Sequence, residues 1–158
     1  MSKAYSSTTV AAAKSQEHIR VLLKRYAAER MQFHESFAER TVRVTFEIRI
    51  NGYAFVVNIQ ARIPQAERQQ KSGRGFRELS PRAVEELQDR HERAAWRALF
   101  FAIKSRLESV DYGIESFEQA FLAHIVTSKG GKTIGEAIIP QLKSPQFQNG
   151  TLLLTTGK

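Results

Sequence analysis

From Val42 to Ile50 every second residue is large and apolar: Val42, Val44, Phe46, Ile48 and Ile50, with Arg43, Thr45, Glu47 and Arg49 between them. A period of two is that of a strand with one buried face. Asn51-Gly52 follows at once, and this dipeptide suits a type I′ turn because both turn positions need positive φ. The alternation then resumes in Tyr53, Phe55, Val57, Ile59, Ala61 and Ile63. A two-residue turn sets Ile50 opposite Tyr53, Ile48 opposite Phe55 and Phe46 opposite Val57. All the large apolar side chains then share one side, and a slip of one residue would turn one strand's set into water. The sequence therefore predicts an antiparallel hairpin with strands at about 41–50 and 53–63, closed by Pro64, which removes a ladder donor. A two-stranded sheet is marginal by itself, so its apolar side needs a helix, a third strand or a subunit partner.

The flanking sequence supplies helices, so the expected class is α+β. Ile19, Leu22, Leu23 and Tyr26 fall on one helical face and predict a helix over about 11–30. Ser80-Pro81 is a helix start, with a capping hydroxyl and a proline at the first helical position. From there Val84, Leu87, His91, Ala94, Ala98 and Phe101 trace one stripe, and Trp96, Leu99, Ile103, Leu107 and Val110 trace an adjacent one. The second half of this long helix should be its most buried part and should cover the hairpin. Gly113-Ile114 reads as its Schellman stop, which makes the helix about 32 residues and roughly 48 Å long. Two short helices are expected after it, each opened by a capping box: Ser116/Gln119, running through Val126 with Phe117, Phe121 and Ile125 inward, and Thr133/Glu136. Pro140 should kink or stop the second. Thr151 to Thr155 is a candidate third strand. Residues 1–10 are small and polar and read as a frayed arm, leaving 11–158 as a single domain.

Composition narrows the function classes. The 158 residues include no cysteine, which excludes disulfides, Cys-ligated zinc, iron–sulfur clusters and a cysteine nucleophile. The first residues lack the apolar core of a secretory signal. The longest apolar run, Ala98 to Ile103, falls far short of the ~20 residues that span a bilayer. A cytoplasmic protein without membrane contact is the expectation. Ser128-Lys129-Gly130-Gly131-Lys132-Thr133 superficially suggests a P-loop, but that loop needs a glycine where Val126 stands. His18, His34, His91 and His124 show no metal-ligand spacing, and the only aspartates are Asp89 and Asp111. Glu47-Ile48-Arg49 faintly echoes a nuclease signature without the upstream aspartate. No catalytic centre, metal or cofactor is expected.

The net charge of +8 points to a polyanion partner. Arg43, Arg49 and Arg62 lie on the polar side of the hairpin, with Thr45, Asn58 and Gln60 among them. The segment 64–80 has no periodicity and reads as a long basic loop, a type that is uncommon unless it is functional or disordered. It carries Arg68, Lys71, Arg74 and Arg77 around Phe76, and residues 62–82 hold six cations against two anions, a net +4. Guanidinium forks grip phosphates and an aromatic ring stacks on a base. The sequence thus nominates Arg43, Arg49, Asn58, Arg62, Arg68, Lys71, Arg74, Phe76 and Arg77 as a surface for DNA or RNA. The competing reading is a protein-interaction module, an inhibitor, adaptor or virion component docking through the long helix and the loop. A homodimer also remains open.

One resemblance adds a setting. Trp96-Arg97-Ala98-Leu99, Leu107-Glu108, Gly113 through Leu122, and Thr133-Ile134-Gly135-Glu136 with Pro140 together resemble small uncharacterised proteins encoded by bacteriophages and prophages. The likeness covers about the last 65 residues. Its motifs are helix caps and core positions, so it implies a shared fold and no particular chemistry. It also implies a host-cell cytoplasm, where phage proteins handle nucleic acid, assemble virions or counter host defence.

Overall fold

Helix α1, Ala12–Arg25, stops short of the expected residue 30. Its end is a Schellman motif built without glycine. Ala27 sits at φ 58°, the Ala28 N–H donates to the Leu23 carbonyl at 3.0 Å, and the Ala27 N–H donates to that of Lys24 at 3.1 Å. The left-handed residue turns the chain off the helix axis. The residues beyond it open a strand instead, β1, Arg30–Ser36. A computed structural model describes residues 4–73, 75–127 and 131–143.

Strands β2, Thr41–Ile50, and β3, Tyr53–Arg62, form the expected hairpin. Asn51 and Gly52 take φ of 50° and 86°, and Ile50, Ile48 and Phe46 oppose Tyr53, Phe55 and Val57. Tyr53 shares the apolar side but stays 72% exposed. β1 joins the free edge of β2, with Phe33 opposite Val44, so the antiparallel order is β1-β2-β3. The third strand therefore precedes the hairpin, whereas the candidate at 151–155 lies outside the described residues.

The segment 64–80 is not an irregular loop. Strands β4, Gln69–Ser72, and β5, Gly75–Glu78, pair as a separate two-stranded ribbon. Its short strands carry no apolar alternation, which is why periodicity misses them. Helix α2, Pro81–Asp111, follows as expected. The Ser80 hydroxyl accepts the Ala83 N–H at 3.3 Å, and at the far end Gly113, φ 67°, lets the Ile114 N–H reach the Ser109 carbonyl at 3.0 Å.

The second half of α2 lies over the apolar side of the sheet. Trp96, Leu99, Ile103 and Leu107 are buried against Val42, Val44, Phe46, Ile48, Val57 and Ile59, with Ile19 and Leu23 of α1 alongside. Phe33 meets the Trp96 ring edge-on, 5.7 Å between centroids. The indole Nε1–H of Trp96 donates to Glu35 Oε1 at 3.1 Å, so the one polar atom of that buried ring is satisfied.

Helix α3, Phe117–Phe121, carries the capping box of Ser116 and Gln119 but ends before Val126. A 3-10 turn, Leu122–His124, follows. Val126 then donates its N–H to the Val56 carbonyl at 2.8 Å, and Ile125 bridges Val57. Pairing with the β3 edge outweighs helix continuation here. Helix α4, Ile134–Leu142, carries the second capping box and runs through Pro140 to its end two residues later. The proline leaves the Glu136 carbonyl without its i→i−4 donor, and the helix stops within one turn of it.

Candidate functional site

The ribbon is held at its base and free along its length. The Ala66 N–H donates to Gln88 Oε1 of α2 at 3.0 Å. His91 Nδ1 meets the Pro64 carbonyl at 3.0 Å; a carbonyl only accepts, so Nδ1 carries the proton. The Leu79 N–H closes the ladder on the Arg68 carbonyl at 2.7 Å. Beyond these anchors every described residue of both strands is exposed. The register sets Lys71 opposite Phe76 and Gln70 opposite Arg77, so Lys71 and Phe76 share one side of the ribbon and Arg77 lies on the other. Phe76 is 75% exposed. Among the described residues, Arg68, Lys71 and Arg77 make no ion pair. Arg74 lies outside the described residues.

The structure divides the nominated residues into three groups. Arg68, Lys71, Phe76 and Arg77 are on the ribbon. Arg62, at the end of β3, lines a cleft of about 660 Å³ between the ribbon and α2, and of the four ribbon residues Lys71 alone lines it too. Arg49 is elsewhere: it sits eight residues along β2 from Thr41, the partner of Arg62, which is about 27 Å at the rise of a strand. Its Nε meets Glu29 Oε1 at 3.1 Å, and its Nη1 donates to the Gly52 carbonyl at 3.3 Å. Its charge is already matched.

Arg43 and Asn58 form the third group. They share a cavity of about 400 Å³ with Gln60, beneath the segment that carries His124, Lys132 and Glu136. The polar side of the hairpin is thus partly covered and not an open arginine face. Arg43 Nη2 reaches Gln60 Oε1 at 3.5 Å, while Arg43 Nε and Asn58 Oδ1 are enclosed without a protein partner. The Thr133 N–H and hydroxyl hold the Glu136 carboxyl below the usual carboxylate range, and the nearby charges of Arg43 and Lys132 add to this. Burial lowers the pKa of His124, and the Arg106 guanidinium lowers it further. This group is a polar joint between the sheet and α4, with Arg43 and Lys132 around the Glu136 carboxylate.

Sequence reasoning missed the cleft. Its α2 wall is the stripe of Leu87, His91, Ala94 and Ala98, which periodicity assigns to the core. The signal available was size: two alanines and a histidine leave space where the neighbouring stripe has Trp96, Leu99 and Ile103. Among the described residues no cluster of His, Asp or Glu could hold a metal ion, and no helix is long and apolar enough to cross a membrane. Comparisons of this chain with models of protein families, with curated proteins and with solved structures find no match.

Proposed function

We propose that this chain is a non-catalytic nucleic-acid-binding protein whose basic β-ribbon is the binding arm. One observation carries the reading: Arg68, Lys71 and Arg77 stand unpaired, among the described residues, on an exposed two-stranded ribbon beside an exposed Phe76. A cation without an internal partner is available to a phosphate, and a two-stranded ribbon fits the major groove of a duplex. An exposed aromatic beside a cation equally suits a single strand, where base stacking adds to phosphate contact. The proposed setting, a host-cell cytoplasm, rests on the resemblance of about the last 65 residues to phage-encoded proteins.

The test is a titration of single- and double-stranded DNA and RNA at several salt concentrations. Each neutralised phosphate contributes a slope in log K against log salt of about −0.9 on duplex and about −0.7 on single strands. Replacing Arg68, Lys71 and Arg77 together by alanine should flatten the duplex slope by up to about 2.7 units and weaken all sequences alike. No detectable binding at low salt, or equal binding by wild type and this variant, would refute the reading. Protein docking through α2 and the ribbon would then take its place.

A further inference from the structure

The cleft between the ribbon and α2 has the composition of a nucleobase site, and this inference rests on the nucleic-acid reading. Its α2 wall is made of Leu87, Ala94 and Ala98, and Leu79 from the base of the ribbon lies across from them. Small side chains on one helix face leave a shelf that a planar ring can lie against. The volume of about 660 Å³ falls in the range of about 300–1,000 Å³ typical of small-ligand sites. The polar lining holds three amides, Gln65, Gln69 and Gln70, the Ser6 hydroxyl, and two cations, Arg62 and Lys71, against one carboxylate, Glu67, so its balance is positive by one charge. Each amide has donors and acceptors to offer to a base edge. Arg62 and Lys71 are cations on the rim. Neither has an ion-pair partner among the described residues. His91, also in the lining, gives its Nδ1 proton to Pro64, which leaves Nε2 as its remaining polar atom.

An apolar shelf with amides at the edge and cations at the rim is complementary to a base attached to a phosphate. It does not match a purely apolar ligand, which has no use for the cations, nor a bare polyanion, which has no use for the shelf. Lys71 also stands directly across the ribbon from Phe76, so one cation serves both the cleft and the exposed ring. We infer that the cleft accepts an unstacked base of a single-stranded nucleic acid, with Lys71 and Arg62 on the adjoining phosphates. A duplex keeps its bases stacked and would engage the ribbon alone.

The experiment compares a base-bearing single strand with an abasic strand of the same length and charge at low salt. Wild type should bind the base-bearing strand at least about tenfold more tightly, since stacked bases contribute of that order or more. Phe76 also stacks bases in the proposed mode, so the comparison is repeated in Phe76→Ala. The preference that survives there belongs to the cleft. Filling the shelf with Ala94→Leu in that background should remove it, with circular dichroism confirming the fold. Should Ala94→Leu fail to fold, Gln69→Ala at the exposed edge is the substitute and should reduce the preference. Equal affinity of wild type for the two strands overturns the cleft and leaves the ribbon reading standing. A preference lost wholly in Phe76→Ala, or unchanged by the cleft variants, also overturns it. Absence of all binding overturns the nucleic-acid reading itself.

Discussion

Gly135→Ala tests how α4 is seated. Gly135 is the second residue of α4, and its backbone shows no left-handed strain. A Cβ added there would lie 2.7 Å from the Ala123 carbonyl oxygen and 3.3 Å from the Ala123 Cβ. Real Cβ atoms do not approach within 3.0 Å, and neither neighbour can swing aside, because one is backbone and the other is the first side-chain carbon. The helix must lift by a few tenths of an ångström. Overpacking of this kind costs about 1–3 kcal/mol, and the gain in helix propensity, at most about 1 kcal/mol, offsets part of it. The net loss should be about 1–2 kcal/mol, concentrated where α4 meets the turn Leu122–His124. Native-state hydrogen exchange reads this directly. The Ile134 N–H, bonded to Ile125 O at 2.9 Å, and the Val126 N–H, bonded to Val56 O at 2.8 Å, should exchange about tenfold faster, while the amides of β2 hold their rates. Gly113→Ala is the contrast: nothing lies within 4 Å of the added carbon, but φ is 67°, so backbone strain alone should cost about 1–2 kcal/mol. Unchanged or slower exchange at Ile134 in Gly135→Ala would show that α4 does not rest on Ala123.

Acid should weaken the same joint. His124 has its pKa lowered from an ordinary value of 6.5, so the unfolded chain takes up its proton first as pH falls. Stability is complete above about pH 6.5 and is lost as pH drops toward the folded value. Denaturant unfolding at pH 7.5 and 5.5 should show this loss, and His124→Gln should shrink it; an unshrunken loss would assign it to other groups. Ala27→Gly should stabilise the fold by about 0.5–1 kcal/mol, because glycine relieves the left-handed conformation at φ 58° at some cost in unfolded-chain entropy. A lowered melting temperature would argue against the Schellman geometry. Arg49→Ala should leave the salt slope of nucleic-acid binding unchanged, because Glu29 already matches its charge; a flattened slope would bring the far end of the hairpin into the interface.

The elements legible in the sequence are those whose residues satisfy local and tertiary demands together. Asn51-Gly52 fixes a turn, and the alternation on either side fixes which face is buried, so the hairpin register follows. Ser80-Pro81, Ser116/Gln119 and Thr133/Glu136 each place a helix start to the residue. What escaped detection was set by partners distant in sequence. β1 has only Met31 and Phe33 facing inward before Glu35 interrupts the pattern, and its strand character comes from the ladder with β2. Residues 122–126 leave the helix because the β3 edge offers Val126 a carbonyl. The ribbon has no apolar face, and pairing through Leu79 and anchoring on Gln88 define it instead. The cleft shows only as an excess of small residues on a stripe that periodicity marks as core.

These same contacts separate the proposed binding arm from the residues that hold the fold. Arg49 at the hairpin end pairs with Glu29, and Arg43 is enclosed in the joint near Gln60 and Glu136, so both belong to the fold. The ribbon cations lie where no described carboxylate pairs with them and no core side chain depends on them. A surface salt bridge contributes at most about 1 kcal/mol, so internal partners for Arg68, Lys71 and Arg77 would have added little stability. Left unpaired, they repel one another and keep an exposed strand edge from pairing with another copy, and they hold an attraction for phosphate that the rest of the chain does not neutralise. The net charge of +8 therefore does not act as a uniform coat. Its unmatched, addressable part includes one arm, anchored at Ala66 and His91, that can be altered residue by residue while the sheet and its helices stay as they are.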